Sequence, residues 1–223
     1  LELSALPSTP HSPSLLEAAS AEPALRDAQY SALTQLAVAA ERGGDRGLGH
    51  PARVGTIAQA VARELGLGAF AVAWLGQAAP LHDVGKLVIP NLILSKPGRL
   101  SAAEFEIVKH HTRAGAEMLS GSGSRLLGLA REITLSHHER WDGGGYPMGL
   151  RGESIPFGGR IVAIADVFDA LTHARPYKDA WAVESAADEI CRQRETHFDP
   201  AVVDAFLAVL DRIPLAHPEL ALI

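Results

Sequence analysis

Three observations make this chain all-α. Apolar residues recur at three- and four-residue spacing along most of its length, as the buried face of a helix requires. No run shows convincing strand alternation. Helix start and stop signals punctuate the chain, and they divide it into about seven to eight helices in one domain.

Residues 1–23 read as a linker or tail, because LELSALPSTPHSP holds three prolines and three serines. Ser12 is placed to cap a short helix from Pro13 towards Ser20. The domain is expected over residues 24–213, with 214–223 as a C-terminal tail. Leu25, Leu33, Leu36, Val38 and Ala40 form an apolar stripe up to Glu41, and ERGGDRGLG (41–49) is a glycine-rich turn. His50-Pro51 opens the next helix, with Val54, Ile57, Ala58, Val61 and Leu65 on one face. A largely apolar helix from Ala69 to about His82 is expected at the centre of the core, followed by a loop from Pro90 to Gly98. Ser101 and Glu104 make a capping box for a helix through Leu119. Gly121 to Ser124 breaks the chain before a helix from Arg125 to about Arg140. Pro156 starts a helix containing Ile161, Ile164, Val167, Phe168 and Leu171. Two further helices cover about Val183 to Arg194 and Pro200 to Leu210.

Composition removes several function classes. At 223 residues and 47% hydrophobic content the chain can bury one ordinary core. A net charge of -6 argues against a nucleic-acid polymer as partner, which needs a broad basic face. A small phosphate ligand needs only a few local cations and remains open. The single cysteine, Cys191, excludes a disulfide and a thiolate zinc cage. No apolar run approaches the ~20 residues of a membrane span, and no signal peptide is visible. The expected compartment is the cytoplasm, with no membrane contact from this stretch. The first residue is Leu1, not methionine, so a preceding regulatory domain is an open expectation.

Five histidines and two aspartates stand out in order: His50, His82-Asp83, His111, His137-His138 and Asp166. Imidazole with carboxylate suits first-row divalent metals. Seven such groups exceed what one ion needs, so they point to a two-metal centre, whose usual work is in-line hydrolysis of a phosphate ester. Each cluster alone has a plainer reading. His82-Asp83 could be a polar helix end, and an HH pair is more often surface than ligand. Asp166 carries more weight, since a carboxylate inside IVAIADVFDAL (161–171) is costly if unpaired. Asp169 either orients a ligand or is a helix-turn or salt-bridge residue. Gly85 lets the backbone turn close to a ligand, and Lys86 beside a metal pair suggests a phosphate. Arg175 and Lys178 read either as a solvated loop or as a phosphate clamp. Trp141 and Tyr146 are candidates for stacking on a base, though a tryptophan at a helix end is more often core. His11, His173, His197 and His217 have no such context.

The ordered segments HDVGKLVIP (82–90), EFEIVKHHT (104–112), SHHERWDGGGYP (136–147), LRGESIP (150–156), RIVAIADVFDAL (160–171), RPYK (175–178) and HFDP (197–200) resemble the HD-GYP family. These are HD-domain phosphohydrolases that degrade the bacterial messenger cyclic di-GMP, and the resemblance covers about residues 30–210. It implies an HD-domain helical bundle with a binuclear metal centre held by His50, His82, Asp83, His111, His137, His138 and Asp166. In EFEIVKHHT the aligned ligand is His111, with His110 in a variable slot. Asp83 and Lys86 would be catalytic, and Lys86, Arg175 and Lys178 would hold phosphate, with Tyr146 also at the substrate. The implied cofactors are two divalent ions, iron or manganese by resemblance, with nickel or zinc also compatible with the ligands.

The turn before His50 departs from the family pattern. Arg46 stands where some members carry a glutamate that binds a third metal, so two ions are expected. The implied reaction opens cyclic di-GMP to linear pGpG, with GMP as a further product if cleavage continues. Rival readings are an HD phosphodiesterase for another cyclic nucleotide, and a non-catalytic module that binds nucleotide or a partner. Family members also dock on GGDEF domains through the GYP loop, so Gly143 to Pro147 either serves that contact or shapes the site entrance.

Overall fold

A computed structural model describes residues 30–41, 49–121, 123–174 and 179–213. Among these residues the architecture is helical, and the one departure is an isolated bridge between Arg194 and Phe198. The helices are α1 (30–41), α2 (His50–Glu64), α3 (Ala69–Ala78), α4 (Asn91–Leu94), α5 (Ala102–Met118), α6 (Arg125–Ser136), α7 (Phe157–Thr172), α8 (Val183–Arg192) and α9 (Pro200–Val209). The short helix expected from Pro13, the turn at 42–48, and Arg175 and Lys178 lie outside the described residues.

Two helices organise the rest. Helix α2 opens on Gly49, with Pro51 in its first turn, where a missing N–H costs nothing. It buries Val54, Ile57, Ala58 and Val61, the stripe read from sequence, against α3, α7 and α9. Helix α7 is buried on nearly every side from Gly158 to Asp169. It packs on α2, α6, α8 and α9, with Phe168 against Phe206 of α9 at 4.9 Å between ring centroids. The capping box forms as expected: Ser101 Oγ accepts from the Glu104 amide, and the Glu104 carboxylate accepts from the Ser101 amide.

Four expectations change. The core centre is α7 and not the apolar segment after Ala69. Helix α3 lies at the edge, buries Val72, Leu75 and Ala78, and leaves Phe70 84% exposed. Composition alone cannot say which apolar helix is surrounded. Helix α3 also stops at Ala78, and a 3-10 turn over Ala79–Leu81 leads into His82. Helix α6 stops at Ser136, so His137 is its C-cap and His138 lies beyond it. Finally, α4 interrupts the stretch read as a loop from Pro90 to Gly98.

Candidate metal centre

The residues singled out from sequence converge in the bundle. His50 comes from the start of α2, His82 and Asp83 from the turn after α3, and His111 from α5. His137 and His138 come from the end of α6, and Asp166 from α7. His50, His82, Asp83, His111, His137 and Asp166 are buried. His110 points outward on α5 and is exposed, as expected of the variable slot.

Two groups of donor atoms form, each with its members within 4.8 Å of one another. One is Asp83, His111, His137 and His138; the other is His50, His82 and Asp83. Asp83 belongs to both. Asp166 closes the second group from α7, with Oδ1 3.4 Å from His50 Nε2 and 3.8 Å from His82 Nε2.

The imidazoles are held in one sense. Backbone carbonyls can only accept, so the nitrogen facing one must carry the proton. Nδ1 of His82 donates to the Ala79 carbonyl at 2.9 Å, and Nδ1 of His111 to that of Val108 at 2.6 Å. Nδ1 of His137 donates to the Ile133 and Thr134 carbonyls, each at 3.2 Å. His50 Nδ1 reaches Asp169 Oδ2 at 2.7 Å. Each ring therefore turns its Nε2 lone pair towards the cluster, the tautomer that metal ligation needs. Among the described residues, His82, His111 and His137 make no hydrogen bond at Nε2 although these atoms are buried. Such atoms call for an explanation, and a divalent cation supplies one. The donor set fits the metal.

For His137 and His138 charge agrees with geometry. Burial, reinforced by neighbouring imidazoles against the pull of Asp83, pushes His137 down to about 4. Burial with His137 and His111 likewise pulls His138 well below its ordinary value. Both rings are neutral and able to ligate near pH 7. For His82 burial acts the same way but is outweighed by the Asp83 carboxylate, which raises it. Burial would push Asp83 upward, yet the Lys86 ammonium and His82 hold it well below the carboxylate range.

Asp169 fits both of its readings, since it contacts His50 and also forms a salt bridge. Besides His50 it accepts a bidentate pair from Arg53, which shares a face of α2 with His50. His173 adds a contact to the same carboxylate at 3.2 Å. Arg53 carried a weak sequence signal, a cation three residues after a candidate ligand.

Two other residues gave little signal. Glu41, at the end of α1, is 1% exposed, and its Oε1 lies 3.0 Å from Lys86 Nζ. Lys86 Nζ also lies 2.6 Å from Asp83 Oδ2. The protein thus itself supplies anions to the lysine, where the sequence suggests a phosphate. Glu139 is 2% exposed and accepts from the Met148 and Leu150 amides at 2.7 and 2.9 Å, which ties down the chain just after the GYP loop. Tyr146 in that loop stacks on His138 at 4.8 Å and meets Phe105 edge-on at 5.9 Å. Trp141 is half-buried, with the Arg160 guanidinium 5.9 Å from its ring.

Gly85 has a different reason from the one its sequence context suggested. A Cβ there would overlap the His111 carbonyl and the Gly115 amide. The glycine lets the HD turn cross α5 at backbone contact, which brings Asp83 within 3.2 Å of His111 Nε2.

A helical bundle that buries such a histidine–aspartate cluster defines a class of protein, and residues 34–202 match the family described as HD domain. The chain belongs to that family, and within it to the HD-GYP group. It is 51% identical over 155 residues to the cyclic di-GMP phosphodiesterase response regulator RpfG of Xanthomonas campestris pv. campestris, covering 70% of this chain and 41% of that protein. It is 42% identical over 197 residues to 3'3'-cGAMP-specific phosphodiesterase 2 of Vibrio cholerae, covering 85% and 38%. The chain spans less than half the length of these relatives. Its fold resembles that of Bd1817, a HDG"Y"P protein from Bdellovibrio bacteriovorus, with a TM-score of 0.58 at 23% identity, over 73% of this chain and 51% of that one. Among the described residues no helix is long and apolar enough to cross a membrane.

Proposed function

We propose that this chain is a metal-dependent phosphodiesterase that hydrolyses cyclic di-GMP to linear pGpG, with GMP as the product of any second cut. The observation that carries the reading is Asp83, shared between two groups of buried ligands. The names borne by the relatives point the same way.

His111, His137 and His138 would hold one ion, His50, His82 and Asp166 the other, and Asp83 both. A divalent pair, when bound, supplies Lewis-acid stabilisation of phosphoryl oxygens and a nucleophile at neutral pH. The chain's own groups do the rest. Asp169 keeps His50 in the ligating tautomer. Lys86 places an ammonium beside the shared carboxylate, where a phosphate oxygen would meet it. Tyr146, stacked on His138, offers a ring face to a base at the rim. Arg175 and Lys178 follow α7 in sequence and are the proposed further phosphate ligands. Iron or manganese is the proposed metal, with two ions per chain because Arg46 replaces the carboxylate of three-metal relatives. The GYP loop, Gly143 to Pro147, is the proposed contact for a GGDEF-domain partner.

A second reading, 3'3'-cGAMP as substrate, is favoured by one observation: a relative named for that substrate aligns over 85% of this chain. Product chromatography with both dinucleotides and added Mn²⁺ or Fe²⁺ tests the proposal. We expect pGpG from cyclic di-GMP, and loss of both bound metal and product in Asp83→Ala. Turnover by metal-replete Asp83→Ala equal to that of the parent would overturn it. Faster turnover of 3'3'-cGAMP would select the second reading.

A further inference from the structure

The Lys86 ammonium sits between two buried carboxylates. Asp83 Oδ2 lies 2.6 Å away, and Glu41 Oε1 lies 3.0 Å away on the other side. Asp83 is the carboxylate shared by both ligand groups. A fixed cation at that distance competes with any metal ion for the same oxygen. Left with Asp83 alone, Lys86 would either hold on to it or be stranded as a buried charge once a metal took it. Glu41 removes that conflict. It is 1% exposed, its Oε1 bonds Lys86, and its Oε2 has no hydrogen-bond partner among the described residues.

We infer that Glu41 is a positioning residue that holds Lys86 when divalent metal claims Asp83, and so makes metal entry compatible with a lysine in the site. This rests on the metal-centre reading above. It also makes α1, through its last residue, part of the site.

The test is Mn²⁺ titration by calorimetry on the full chain and on Glu41→Gln, Lys86→Met and the double variant, with helicity and melting temperature followed in parallel. Glu41→Gln keeps the shape and removes the charge. It should weaken Mn²⁺ binding by on the order of tenfold, the scale of one charge-assisted hydrogen bond. The double variant removes the competing cation as well, so it should recover at least the parent affinity. A residue that merely packs α1 would show no such rescue. Parent-like binding by Glu41→Gln would overturn the inference, as would a double variant no better than Glu41→Gln. Should Glu41→Gln fail to fold, the Mn²⁺ affinity of Glu41→Asp decides: near-parent binding supports the inference, and a loss as large as that of a ligand variant overturns it. Absence of Mn²⁺ binding by the parent chain would instead sink the metal-centre reading itself.

Discussion

At the residue scale the candidate site rests on side chains behind its proposed ligands. Asp169 fixes the His50 tautomer, and Arg53 fixes Asp169. Groups of this kind typically matter 10–100-fold in metal affinity. Asp169→Asn should therefore weaken Mn²⁺ binding by about that factor while helicity stays the same; parent-like affinity in a titration would show that His50 does not need it. His197 tests the electrostatics away from the metal. Burial, with the Arg140 cation, lowers it to about 4. Its folded value lies below its unfolded one, so between about pH 6.5 and 4 the unfolded chain binds the extra proton. Stability falls as pH drops through that window and is unaffected above it. His197 is half-buried, so between pH 7 and 5 its share is discounted to about 1–2 kcal/mol. His197→Gln should lose that much less stability than the parent over the same interval, read by urea unfolding at both pH values.

At the element scale the decisive contact is the crossing of the HD turn over α5. Gly85 and Gly115 meet backbone to backbone, and this sets the spacing of Asp83 from His111. Gly85→Ala must push the turn off α5. The expected result is a loss of about 1–3 kcal/mol of stability, the usual range for overpacking, together with weaker metal binding. Unfolding and Mn²⁺ titration on one preparation check both; a loss of stability with metal affinity intact would mean that the crossing does not position Asp83. Glu139 plays a comparable part just after the GYP loop, where the Met148 and Leu150 amides converge on its carboxylate.

At the scale of the whole molecule the candidate metal ligands come from five places in the chain and meet only when the bundle closes. Metal that binds the folded state alone stabilises it, by about 2.7 kcal/mol at a hundredfold excess over Kd. Saturating Mn²⁺ should raise the melting temperature and a chelator should reverse the rise, followed by calorimetry. A melting temperature insensitive to both would mean that the buried histidines are structural.

The sequence by itself pointed to most of the helices and to the candidate ligands. Helical spacing, the Ser101–Glu104 box and His50-Pro51 marked elements that formed where expected, because these signals act within a few residues. The seven candidate ligands, drawn from motif order, meet around Asp83. What lies beyond local reach was decided only by tertiary structure. Periodicity shows that a helix has an apolar face but not how many neighbours it meets, so α7, rather than α3, took the centre. Glu41 ends an apolar stripe and opens the run read as a glycine-rich turn; only the bundle brings it to Lys86, 45 residues away. Gly85 reads as a turn glycine until α5 lies against it. Asp169 stayed undecided between two roles because its partner His50 is 119 residues distant. Local patterns record what a residue prefers, whereas its partner across the core is fixed by packing.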